Sequence, residues 1–159
     1  MSIESQLKKR LSKVQANLQK ANSKNNLKKL ASLVVNLVKE RTRSGYGVKA
    51  ERSPDTPGAR FRLPKLSDSY IEHRIRNSRK LSRYASISRA NNTFTGQMLS
   101  SLRVQSVGKN SFSIGFRDRK AKQKAQYLND MGREFMNLSK KEVSILIKAY
   151  ENILKTRKL

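Results

Sequence analysis

The amino-acid sequence predicts an α+β domain: N-terminal helices, a small antiparallel sheet around a β-hairpin, and a C-terminal helix packed on it. Three observations predict it. Apolar residues recur at helical spacing over residues 2–43, they alternate with polar ones between Leu102 and Phe116, and a complete helix-start signal stands at Ser139. Helical and strand patterns that come in blocks, without the β-α-β alternation of a parallel sheet, favour this class.

In chain order, Ile3, Leu7, Leu11, Val14 and Leu18 lie one helical turn apart with Lys and Gln between them, which predicts an amphipathic helix over residues 2–21. After the polar break Asn22-Ser23-Lys24-Asn25, residues Leu27, Leu30, Ala31, Val34, Leu37 and Val38 predict a second helix ending near Arg43. Its apolar face is wider, so it is the better buried of the two. Residues 1–43 read as an N-terminal helical arm, and 44–159 as the α+β domain. Gly45, Gly47, Gly58 and all three prolines fall between 44 and 66, where no apolar period survives, so this stretch reads as a long basic loop.

Ser67 as N-cap and Asp68 in the first turn predict a short helix over 67–80, with Tyr70, Ile71 and Ile75 as its apolar edge. Leu102 and Val104, then Phe112, Ile114 and Phe116, alternate with polar residues about the turn Gly108-Lys109-Asn110. That pattern predicts a β-hairpin. A polar helix over 119–131 should stop at Gly132. Ser139 and Glu142 then form a capping box, Leu138 can staple onto Val143, and Val143, Leu146, Ile147, Tyr150, Ile153 and Leu154 form the expected buried stripe of the last helix.

Composition narrows the function. The 159 residues carry 36 Lys plus Arg against 11 Asp plus Glu, a formal charge of +25. Such an excess repels itself in a compact state and attracts polyanions. Hydrophobic residues make up 36% of the chain, against about 45–50% in an ordinary globular domain by a count that includes Gly. With no Trp, the core must be small, and oligomerisation is expected to add to it. The absence of Cys excludes disulfides, thiolate metal sites and Cys nucleophiles. The opening residues lack a signal-peptide apolar run and no apolar run is long enough to span a bilayer, so a reducing, aqueous compartment and no membrane partner are expected.

Catalytic patterns are sparse. His73 is the sole histidine, and a nuclease centred on it is the enzymatic reading, set against a surface or interface residue. The carboxylates are scattered; only folding could bring Asp118, Asp130 and Glu134 together, and no phosphate-binding glycine motif is present. No enzyme activity, no cofactor and no metal are expected. The cations, by contrast, are concentrated: residues 41–90 hold thirteen Lys or Arg, ten of them Arg, whereas 91–116 hold only Arg103 and Lys109. Arg binds phosphates and carboxylates through a planar fork. Arg41, Arg43, Arg60, Arg62, Arg74 and Arg76 are therefore the expected contacts with a polyanion or an interface. Lys8, Lys9, Arg10 and Lys13 form a second cluster, which reads equally as a solvated helix face. Aromatic residues are poorly interleaved with the cations, which favours phosphate contact without sequence reading over base stacking.

Several short runs carry a resemblance. They are Arg41-Thr42-Arg43-Ser44-Gly45-Tyr46-Gly47, Leu63-Pro64-Lys65-Leu66-Ser67-Asp68-Ser69-Tyr70-Ile71, Thr93-Phe94-Thr95-Gly96-Gln97-Met98-Leu99 and Gly132-Arg133-Glu134-Phe135-Met136-Asn137-Leu138-Ser139. In this order and spacing the chain resembles, from residue 41 onward, the tail-completion and virion-morphogenesis proteins of tailed bacteriophages, which act at the head–tail junction or neck. The resemblance implies structural roles for Thr95, Gly96, Met98, Leu99, Gly132, Arg133 and Phe135. It also implies a homo-oligomeric ring in the virion, assembled in the host bacterial cytoplasm. Other neck, portal or tail proteins, or the phosphates of packaged DNA, would offset its charge. The competing expectation is a free basic nucleic-acid-binding protein of ribosomal or nucleoid type.

Overall fold

The computed structural model describes residues 12, 16, 23–49, 58–83, 85–88, 90 and 96–155. Apart from residues 12 and 16, the helix expected over 2–21, with its Lys-rich cluster, lies outside them, as do Arg52, Arg89 and Thr95. The described elements run α1 (Lys24–Arg43), β1 (Tyr46–Val48), β2 (Arg60–Arg62), α2 (Asp68–Arg76), α3 (Gln97–Ser101), β3 (Leu102–Val107), β4 (Phe112–Phe116), α4 (Arg119–Asp130) and α5 (Lys140–Lys155). Two antiparallel ribbons, β1-β2 and β3-β4, make the class α+β.

The main core forms where α1 crosses the β3-β4 hairpin. Val34, Val35 and Val38 of α1 meet Met98, Leu99, Leu102, Ala121, Ala125 and Phe135, and Phe112, Ile114 and Phe116 pack against them from β4. Phe135 is fully buried and edge-on to Phe116, with ring centroids 6.4 Å apart. Within the segment read as an arm, α1 packs against the hairpin and the last helix.

Local signals end α1 and α4 where the sequence places them, whereas α2 stops at Arg76, short of the expected residue 80, and a 3-10 turn spans Ser78–Lys80. Gly45, at φ 86°, closes α1 by donating its N–H to the Thr42 carbonyl at 3.0 Å. Gly132, at φ 71°, closes α4, its N–H bonding Asn129 and that of Arg133 reaching back to Leu128, both at 2.8 Å. This double bond pattern satisfies the last free carbonyls of a helix. Asp118 caps the start of α4 through Lys120 N–H at 3.1 Å, and Ser67 caps α2 through Tyr70 N–H at 3.4 Å.

The stretch 44–66 is more ordered than a loop. Tyr46 pairs with Arg62 and Val48 with Arg60, and Gly47 lies so close to the Glu134 carbonyl and the Phe61 ring that a Cβ would overlap both. Val48 donates to the Glu134 carbonyl at 3.1 Å, tying the ribbon to the segment before α5. Three-residue strands are too short to show an alternating pattern, which is why the sequence conceals them.

Helix α5 begins as expected and then departs from expectation. Ser139 N–H and Oγ both donate to Glu142 Oε2 at 2.7 Å, and Glu142 N–H returns a 3.3 Å bond to Ser139 Oγ. The same carboxylate accepts from the buried Arg41 guanidinium, which also donates to the Phe135 carbonyl. With Glu142 drawn inward, its helix face (Glu142, Leu146, Ile153) turns to the interior. The expected stripe is split: Leu146 and Ile153 turn inward, but Val143 is 41% and Ile147 53% exposed, while Tyr150 and Leu154 are half-buried. Leu138 packs against the main core.

Removing one member of a buried ion pair strands the other, which costs about 3–5 kcal/mol. Glu142→Gln should therefore lower unfolding stability by about that amount in urea titrations. Joint replacement Arg41→Met with Glu142→Leu should recover most of the loss, and equal losses in single and double variants would refute the coupling. Gly47→Ala should cost about 1–3 kcal/mol, because backbone stands where the methyl must go.

Candidate polyanion and assembly surfaces

The six expected arginine contacts divide by position. Arg41 is 5% exposed and engaged with Glu142 and the Phe135 carbonyl. Burial lowers its pKa most; the Glu142 carboxylate pulls it back up by charge and hydrogen bond, and the nearby Arg60 lowers it further. Arg74 is 2% exposed, donates to the Ser86 carbonyl, and lies 5.2 Å from the Tyr70 ring centroid. Neither can meet an outside polyanion, which corrects the expectation for both. Their sequence positions contain the reason. Arg41 continues the apolar row Leu30, Val34, Val38 at helical spacing, and Arg74 follows Ile71 by three. Ile75, expected on the apolar edge, is 55% exposed instead.

The other four reach the surface to different degrees. Arg60 and Arg62 are exposed and flank the half-buried Phe61 on β2, so both project from the opposite face of the ribbon. Arg60 stacks its guanidinium 4.6 Å from the Tyr46 ring centroid. Such a contact orders the side chain while leaving its fork open to an anion. Arg76 is exposed in a 3.0 Å pair with Glu72 one helical turn back, and Arg43 is half-buried at the end of α1. Arg79, Lys80 and Arg83 extend the exposed basic band beyond α2.

Lys39 is half-buried on α1, one helical turn before Arg43. Burial, and then the charge of Arg43, lower its pKa.

The residues carrying the family resemblance occupy structural positions. Gly96, at φ 77°, starts α3; Met98 and Leu99 are buried in the main core. Gly132 closes α4 and Phe135 fills the centre of the core. Arg133 donates to the Lys65 carbonyl at 3.5 Å, at the limit of a hydrogen bond.

Titratable side chains take local roles. His73 is exposed and stacks on Tyr70, centroids 5.9 Å apart and planes 11° from parallel. Asp118 caps α4, Asp130 accepts from Gln126 at 2.9 Å, and Glu134 accepts from Asn137 at 3.3 Å. Among the described residues no three His, Cys, Asp or Glu converge on a metal-sized site. No described helix is long and apolar enough to cross a membrane.

The partly exposed row on α5 is the second surface. Val143, Ile147, Tyr150 and Leu154 recur at i, i+4, i+7 and i+11, so they share one helix face. With Val143 41% and Ile147 53% exposed, this face carries large aliphatic groups at the surface of a chain with a small core. No family model, curated protein or solved structure matches the chain.

Arg60→Gln with Arg62→Gln should flatten the dependence of log Kobs on log salt for duplex DNA by about 2, one phosphate contact per arginine. An unchanged slope would assign the pair to protein contacts. For Lys39 the lowered native pKa means that the unfolded chain holds the proton more tightly, so stability rises with pH just below the unfolded value of 10.5. Lys39→Met should abolish that rise in pH-dependent thermal melts and stabilise the chain at neutral pH.

Proposed function

We propose that this chain is a non-catalytic structural protein of a tailed-phage virion, working in the neck or tail, in tail completion or head–tail joining, as one subunit of a homo-oligomeric ring. The observation that carries the reading is the apolar face of α5, with Ile147 53% and Val143 41% exposed on a chain of net charge +25. A free nucleic-acid-binding protein needs the charge but has no use for the exposed aliphatic row. A ring subunit uses both: neighbours cover the helix, and DNA phosphates or acidic portal and tail proteins offset the arginines.

The resemblance supports the same reading. Its described residues in the two later runs form the core and the turns, which accords with the structural roles the resemblance implies for them. The virion is then the site of action. The basic ribbon, with Arg60 and Arg62 exposed, is the surface that faces DNA or an acidic neighbour.

Sedimentation without nucleic acid should show a closed multiple of the 18.2 kDa chain mass, and images of the isolated protein should show rings. Ile147→Asp, at an exposed position, should leave the circular dichroism spectrum unchanged and yield monomers. A wild-type monomer that gains mass only on DNA, with affinity falling steeply in salt, would instead establish the free nucleic-acid binder.

A further inference from the structure

We propose that the outer edge of β4 is a docking site for an extended, acidic segment of a neighbouring protein, which adds a third strand to the β3-β4 ribbon. The argument begins with hydrogen-bond alternation in an antiparallel pair, where every second residue pair bonds across the ladder and the others turn their N–H and C=O away. Arg117 N–H donates to the Ser101 carbonyl at 2.9 Å, and Gly108 N–H to Ser111 at 2.8 Å, so both ends of the hairpin are bonded pairs. The register is Leu102 with Phe116 and Val104 with Ile114, then, past an irregularity at Gln105, Ser106 with Ser113 and Val107 with Phe112. Counting inward from either end gives the same result. Ser113 and Gly115 bond to β3, and the N–H and C=O of Phe112, Ile114 and Phe116 face outward.

One of these outward groups is already capped: the Phe116 carbonyl accepts from Gln105 Nε2 at 2.8 Å. Ile114 makes no hydrogen bond outside the ladder among the described residues. Ile114, Gly115 and Phe116 of β4 line a cleft of about 510 Å³ beside α4, which Gln105 of β3 also lines. Phe116, Ala125 and Met136 give it an apolar lining, and Lys122, Gln126 and Asn129 a polar one. The Asn129 Oδ1 atom is buried with no hydrogen-bond partner. An outward N–H and C=O on alternate residues fits extended backbone and not a helix or a small molecule. Lys122, with no carboxylate in the lining and +25 on the chain, selects an acidic segment over a second copy of this basic one. The proposal rests on the virion reading only for the origin of the segment.

The test uses the full chain carrying Ile147→Asp, so that strand addition is read apart from ring formation. The probe is a capped peptide of about six residues alternating valine with threonine and ending in two glutamates. Titration into labelled protein should shift the amide resonances of Phe112, Ile114 and Phe116 saturably, together with those of the cleft residues on α4. N-methylation of every second peptide amide should weaken binding about tenfold in one phase and leave it unchanged in the other. Lys122→Glu, at an exposed position, should reverse the preference between the glutamate-ended peptide and a lysine-ended one. Equal binding by both N-methylated phases, by a scrambled peptide of the same charge, or shifts located elsewhere would overturn the proposal. So would concentration-dependent shifts of the β4 amides without peptide, since they would assign the edge to a second copy. None of these outcomes alters the mass of the wild-type assembly, which decides the ring separately.

Discussion

Arg41 and Glu142 meet in the interior, and three otherwise separate parts of the chain converge on that contact. Arg41 lies near the end of α1, Glu142 in the first turn of α5, and the Phe135 carbonyl in the connection from α4. The carboxylate satisfies the Ser139 N–H and hydroxyl at the same time, so one oxygen both starts the last helix and anchors it to the first. A buried charge is tolerable only when its partners hold it from several sides, and that demand permits one docking of α5 on α1. The rotation of α5 follows from it. A helix docked by its aliphatic residues alone would turn Val143 and Ile147 inward; docked through Glu142, it leaves them outside.

This constraint explains what could and could not be seen in the sequence. The capping box, the 3.6-residue period of α1, the glycine stop at 132 and the alternation in the hairpin are all local signals, and each produced the element it predicts. The inward rotation of Glu142 is not local, because its partner stands far away in the chain. Arg41 and Arg74 belong to the same class. Both sit at helical spacing from apolar residues, so periodicity hinted at burial, but composition alone makes an arginine look like surface. The β1-β2 ribbon was hidden for another reason: strands of three residues rich in Gly and Arg carry no period, and their pairing is held by contact with the Glu134 carbonyl.

The candidate site was legible in outline and misplaced in detail. Folding divides the arginines concentrated between residues 41 and 90 into two populations. Arg41 and Arg74 hold the interior together; Arg60 and Arg62 stand on a rigid ribbon facing solvent. The ribbon's position is fixed from below by Gly47, whose missing Cβ lets β1 lie against the Glu134 backbone, so the same contact that orders the segment before α5 also aims the exposed arginines.

Two open valences, the α5 face and the β4 edge, would be hazards on a neutral protein, since exposed aliphatic rows and free strand edges both promote uncontrolled association. On this chain the charge opposes that outcome. Copies carrying +25 repel one another wherever their surfaces approach within a Debye length, about 8 Å at physiological ionic strength. In the proposed assembly, association therefore requires a geometry that separates the basic ribbons or supplies counter-charge between them. A closed ring around DNA meets both demands, and an acidic strand on β4 meets the second at its own site. The basic excess then selects the assembled state by penalising the others, which is a role that phosphate affinity alone does not give it.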